Sequence, residues 1–179
     1  MPYSIELRFD GALTAQIARI REALAAMELC PLPGDEAAPH LSLAVYDDGP
    51  DIDPARLAGG IDRLAEDHAP LPVTFSSIGV FPTEERVLFL GPVVRRPLLD
   101  LHAAWHALAA DFAANCWSYY LRGNWMPHCT LGTGVPTSGL ARAIAHLGER
   151  WTPLAGTMHS IALIHAHPVE VLHRRPLRQ

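Results

Sequence analysis

The order of hydrophobic patterns along this chain repeats once, and that repetition restricts the fold more than any single residue does. Tyr3 to Phe9 alternates Ile5, Leu7 and Phe9 with Ser4, Glu6 and Arg8, the period of a strand with one buried face. A helix follows, with Leu13, Ile17, Ile20, Leu24 and Met27 spaced by three and four residues on one side. Pro31-Leu32-Pro33-Gly34 interrupts the chain before a second strand, His40 to Tyr46. Asp53-Pro54 reads as an N-cap followed by proline at the first helical position, opening a helix with Leu57, Ile61 and Leu64 inward. Val73 to Phe81 is the next strand.

The second half runs through the same order. A strand covers Arg86 to Val93, and a helix opened by Pro97 carries Leu98, Leu101, Trp105, Leu108 and Phe112 on one face. A strand lies around His128 to Gly132, a shorter helix holds Leu140, Ile144 and Leu147, and a final strand spans about Thr157 to His165, pairing with Val169 to His173. Matched elements start about 85 residues apart, which predicts one domain of two pseudo-repeats, about 1–82 and 83–179. The expected class is α+β, with strands and helices interleaved in each half.

Within this frame, Pro39-His40-Leu41-Ser42-Leu43 and Pro127-His128-Cys129-Thr130-Leu131 fall on corresponding strands. Strand side chains alternate, so His40 shares a face with Ser42, and His128 with Thr130. Each strand thereby offers one imidazole and one hydroxyl together. That set suits transfer at phosphorus: one histidine takes a proton from the attacking oxygen, and the other returns one to the leaving oxygen. Ser42 and Thr130 would donate to the non-bridging oxygens, where charge is carried through the transition state. The scheme needs no metal and no cofactor.

The paired motifs in a duplicated α/β frame resemble the 2H phosphoesterase superfamily, in particular its 2′-5′ RNA ligase-like (LigT-like) branch. The resemblance spans nearly the whole chain, supported by Phe75 to Phe81 ahead of Val87 to Gly91 and by Ser160 to Leu163 near the end. It implies a duplicated, two-lobed LigT-like fold, each lobe a small, mostly antiparallel sheet with outer helices, around a central groove. It implies catalysis by His40 and His128, phosphate binding by Ser42 and Thr130, and action on 2′,3′-cyclic phosphates, 2′-5′ linkages or related small nucleotide phosphodiesters. The first motif carries serine where many relatives carry threonine, which keeps the hydroxyl but loosens its positioning.

Charge and composition narrow the partners. A formal net charge of −5 disfavours a stable complex with long nucleic acid, which depends on many cationic contacts, so a small nucleotide or an RNA terminus is the expected substrate. No stretch approaches the roughly 18 apolar residues of a membrane helix, and the N-terminus lacks a basic-then-apolar leader, so a cytoplasmic protein without membrane association is expected. Cys30, Cys116 and Cys129 form no CxxC pair and read as small buried hydrophobes.

Further residues could line the groove. Arg8 points opposite to Ile5, Leu7 and Phe9, toward a phosphate or simply toward solvent, and Tyr46 lies in phase with His40 and Ser42. Phe81 and Trp125 sit near strand ends, so these three aromatic residues are candidate base-stacking partners as well as core candidates. His102 and His106 have the i, i+4 spacing of a zinc pair near Asp111 but lack the glutamate of HExxH, and are expected on a partly exposed helix surface. His165, His167 and His173 with Arg174 and Arg175 read as a polar C-terminal edge. The alternatives to an enzyme are a non-catalytic nucleotide- or RNA-binding module of the same fold and a histidine-rich metal binder.

Overall fold

In the computed structural model, which describes residues 2–31, 38–149, 151–166 and 168–178, the strands and helices interleave in the expected order. They are β1 (Tyr3–Phe9), α1 (Gly11–Ala26), β2 (His40–Tyr46), α2 (Pro54–Asp67), β3 (Leu71–Phe81), β4 (Val87–Pro92), α3 (Arg96–Leu108), β5 (Cys129–Gly132), α4 (Thr137–Glu149), β6 (Leu154–Ala166) and β7 (Val169–Pro176). Leu32, Pro33, Gly34 and His167 lie outside the described residues. No helix among the described residues is long and apolar enough to cross a membrane.

Capping explains two helix starts. The Asp10 carboxylate accepts from Leu13 N at 2.9 Å to open α1, and Asp53 accepts from Ala55 N at 2.9 Å to open α2 with Pro54 in its first turn. The seven strands form one sheet with every pairing antiparallel, in the order β2-β1-β6-β3-β4-β5, and β7 adds to β6. β1 lies between β2 and β6, and β4 lies between β5 and β3 in the same way. The two lobes therefore exchange strands. β3 from the first half completes the β4–β5 lobe, β6 and β7 from the second complete the β1–β2 lobe, and the β3–β6 pair joins them. That pairing also explains why β6 starts earlier than its apolar pattern predicts: Leu154 to Met158 pairs with β3.

The apolar faces of both lobes meet in one continuous core. Ile5, Leu7, Leu41, Ile161 and Leu163 pack in the same cluster as Leu13 and Ile17 of α1, Leu57 and Ile61 of α2, and Trp105 of α3. Three helix expectations shift. Met27 caps the end of α1 and is exposed rather than inward. α3 stops at Leu108, and the buried Phe112 sits in a tighter 3-10 segment, Ala110–Asn115. There Asn115 O accepts Asp47 N and Cys116 bridges Tyr46, so tertiary pairing with the end of β2 outweighs further α-helix. On α4 the buried residues are Gly139 and Ala143, while Ile144 is 42% exposed. The stripe is displaced because the helix approaches through its smallest residue: a Cβ on Gly139 would stand 2.9 Å from Leu29 O. The three cysteines are buried and unpaired with one another, as expected.

Candidate active site

β2 and β5, which carry the two Pro-His motifs, pack against each other. His40 Nδ1 lies 2.9 Å from Ala38 O, and His128 Nδ1 lies 2.8 Å from Met126 O. A carbonyl only accepts, so each ring donates a hydrogen from Nδ1 there and has Nε2 as its other nitrogen. In both motifs the acceptor is the carbonyl two residues back, which gives the two imidazoles the same local mounting. They stand close enough that charge on His40 disfavours charge on His128.

Their surroundings differ. His128 is held below the ordinary imidazole range, chiefly by burial, with the Met126 carbonyl opposing that shift and His40 adding to it. Two rings do the burying: Phe81 meets His128 edge-on at 4.8 Å between centroids, and Phe89 lies 5.4 Å away. Phe89 pairs with Thr130 across β4–β5 and with Gly79 across β3–β4. It lies flat over that glycine, where a Cβ would come within 2.3 Å of the ring. His40 instead has Glu6, whose Oε2 lies 3.4 Å from Nδ1, although Glu6 is only 5% exposed. Arg8 Nη2 stands 2.7 Å from the same oxygen but off the hydrogen-bonding direction, so that contact is one of charge rather than a directed bond.

The hydroxyls are tied from behind. Ser42 Oγ lies 3.3 Å from Ser4 Oγ and hydrogen-bonds the Tyr120 hydroxyl, whose own pKa burial pushes up to about 12. Trp125 Nε1 donates to Ser42 O at 3.0 Å. On the other lobe, the buried Arg21 guanidinium reaches from α1 to Thr130 O, with Nε at 3.2 Å and Nη2 at 2.5 Å. The buried Cys129 thiol bonds the backbone of His40, linking the two motif strands behind the groove.

Of the further candidates, Arg8 does face the groove side of β1, but it is 9% exposed and engaged by Glu6 and by Ala38 O at 3.3 Å. Phe81 and Trp125 flank the motifs: Phe81 stacks on Phe89 at 4.3 Å, and Trp125 stacks on His102 at 4.0 Å with its planes 3° apart. Tyr46 is a correction. It is 0% exposed, its hydroxyl accepts from Trp105 Nε1 at 2.9 Å, and it packs edge-on to Phe112. The reason is a bulge: Glu6 pairs with Ser42 and Ile5 with Ala44, leaving Leu43 without a partner on β1. One extra residue reverses the alternation, so Tyr46 joins the core face instead of the face of His40 and Ser42.

His102 is a second correction. His102 is 3% exposed, and its Nε2 lies 2.9 Å from Tyr120 O and 3.1 Å from His106 Nε2. Both rings also bond the backbone of the bulged Leu43; this turns His102 into the fold, while His106 stays partly exposed as expected. Asp111 pairs with Arg56 instead. Among the described residues no three His, Cys, Asp or Glu side chains converge in a way that could hold a metal ion. The sequence reading missed Glu6, Arg21, Phe89 and Tyr120. Only Glu6 had a local signal, as the acidic residue in phase with Arg8 on the polar face of β1.

The sequence model of the 2′-5′ RNA ligase superfamily matches residues 9–170. Among solved structures, the chain is similar to TT0787 of Thermus thermophilus, with TM-score 0.72, 18% identity, and 99% of this chain and 98% of that one covered. It is similar to E. coli LigT complexed with 3′-AMP, with TM-score 0.66, 18% identity and 100% of both chains covered. LigT has also been crystallised with ATP and with NADP+. The PDE domain of MHV ns2 aligns with TM-score 0.54 and 16% identity over 99% of this chain and 98% of that one. No curated protein matches the sequence.

Proposed function

We propose, from the premise that this chain belongs to the 2′-5′ RNA ligase superfamily, that it is a metal-independent phosphodiesterase acting on small nucleotide-type phosphodiesters, a 2′,3′-cyclic phosphate or a 2′-5′ linkage. The observation that carries this reading is the matched mounting of His40 and His128. Each donates Nδ1–H to the carbonyl two residues back and keeps Nε2 for proton transfer. The crystallised complexes of LigT with nucleotides support a nucleotide-type ligand for the same fold.

The surroundings support one division of the two roles. His128, desolvated by Phe81 and Phe89 and held low, is the neutral base. His40, whose Nδ1 lies 3.4 Å from the Glu6 carboxylate, takes the acid role in this scheme. For a 2′,3′-cyclic phosphate, His128 Nε2 takes a proton from water as the water oxygen bonds to phosphorus. The bond from phosphorus to one ribose oxygen breaks, and that oxygen receives the proton held on His40 Nε2. Return of the proton from His128 to His40 through solvent resets the pair. Ser42 and Thr130 donate to the non-bridging oxygens, and the backbone ties from Trp125 and Arg21 keep those hydroxyls in place.

The test is turnover of 2′,3′-cyclic mononucleotides and of 2′-5′ and 3′-5′ dinucleotides in excess EDTA by wild type, His40→Ala, His128→Ala and the double variant. Each single variant should lose roughly 10² to 10⁴ in kcat. The double variant should be far less impaired than the product of the two losses, because the groups serve one displacement. Near-full activity in either single variant overturns the mechanism. Nucleotide binding without turnover by wild type would make the chain a binding module.

A further inference from the structure

Strand register extends the groove face beyond the catalytic motifs. Residues paired across an antiparallel ladder share a face. Ser42 pairs with Glu6, Glu6 with Ala162, and Ala162 with Arg174; His40 pairs with Arg8 and Arg8 with Ser160. Arg174 on β7 is therefore on the same face as both groove residues of the first motif. Its neighbours His173 and Arg175 point to the opposite face, where both meet Asp62 of α2, at 2.8 and 3.0 Å.

Arg174 is anchored but not neutralised. Its Nε donates to Ser160 Oγ at 3.1 Å, and Ser160 is 2% exposed, so the serine fixes where the guanidinium lies. Among the described residues no carboxylate pairs with it, whereas Arg8 on the same face is already engaged by Glu6. Two cavities meet at Arg174, one of about 240 Å³ walled by Arg8, Pro39 and Val171, and one of about 460 Å³ walled by Pro70, His159 and Leu177. Among the described residues that wall them, none is acidic. On a chain of net charge −5, an exposed guanidinium with its outer nitrogens uncompensated, held between two open cavities, is arranged to receive an anion.

Building on the function proposed above, we infer that Arg174, held by Ser160, forms a second phosphate subsite on the face that carries His40. The bond to Ser160 draws the guanidinium over β6, two strand spacings from the β2 position of His40, which is about 10 Å. That is too far to hold the reacting phosphate and suits another phosphate of the same ligand. Two sources share this chemistry, a 5′-phosphate on the reacting nucleotide and the phosphate one nucleotide farther along an RNA end.

Binding of adenosine 3′-phosphate, adenosine 3′,5′-bisphosphate and the 5′-phosphorylated diadenosine 3′-phosphate, measured by calorimetry on wild type, Arg174→Ala and Arg174→Lys, tests the subsite. Wild type should bind a ligand with the additional phosphate about tenfold more tightly than adenosine 3′-phosphate. A gain already present in the bisphosphate places the second phosphate on the reacting nucleotide; a gain only in the dinucleotide places it one step farther. Arg174→Ala should remove the preference while leaving adenosine 3′-phosphate binding and the melting temperature unchanged, and Arg174→Lys should keep part of it. Equal affinity for all three ligands in wild type, or a preference that survives Arg174→Ala, overturns the inference. Turnover of adenosine 2′,3′-cyclic phosphate by wild type is read separately, so absence of catalysis bears on the proposed function and absence of discrimination bears on the subsite.

Discussion

Acidification should loosen this fold through one side chain in particular, His102. Its pKa is pushed down to about 4 from an ordinary imidazole value of 6.5, chiefly by burial, with the Tyr120 carbonyl opposing the shift and His106 and Arg122 adding to it. A folded-state value below the unfolded one means that the unfolded chain takes up the proton first as pH falls. The contribution is therefore fully present above about pH 6.5, is lost between pH 6.5 and pH 4, and does not change further below that. At 1.36 kcal/mol per pKa unit the shift corresponds to about 3 kcal/mol, a large fraction of the usual stability of a domain. The comparison variant is His102→Gln, whose amide can still donate to Tyr120 O but does not titrate. Denaturant unfolding of both proteins from pH 4 to pH 8 gives free energy against pH. Asp10 and His128 contribute in both proteins and cancel in the difference, whereas the contribution of His106, which lies 3.1 Å from His102, stays within it. Wild type should lose about 3 kcal/mol more than the variant across the window, with a maximal difference in slope near one proton. Parallel curves would refute the claim that His102 is buried in its neutral form against β2.

Three other outcomes test the site. His128 is held below 6.5 and is the base in the proposed mechanism, so the acid limb of kcat/KM should fall below pH 6.5; a limb at or above that value removes the assignment. Ser42→Ala and Thr130→Val should each slow kcat on the order of a hundredfold with little change in melting temperature, and unchanged turnover in both would show that the phosphate oxygens are held elsewhere. Gly79→Ala would put a Cβ 2.3 Å from the Phe89 ring. It should lower stability by about 1–3 kcal/mol and, by displacing a ring that desolvates His128, move the acid limb upward, as thermal melts and a pH–rate profile would register.

The sequence alone carried the strand–helix order and the placing of an imidazole with a hydroxyl in each of the two motifs, because both are written in short-range patterns. Alternation puts His40 beside Ser42 and His128 beside Thr130 as long as three consecutive residues remain extended, whatever they pair with. Tyr46 failed the same rule because its phase passes through Leu43, and a bulge there depends on how β2 registers against β1. The tertiary structure decided what surrounds the imidazoles. Glu6 meets His40 from the neighbouring strand, Phe81 and Phe89 reach His128 from β3 and β4, and Tyr120 and Arg21 arrive from segments far along the chain. Their effects are burial, charge and backbone anchoring, which exist only once distant segments pack. Two nearly identical motifs thus became an unequal pair, one histidine beside a carboxylate and the other between aromatic rings, and no local spacing in the sequence encodes that difference.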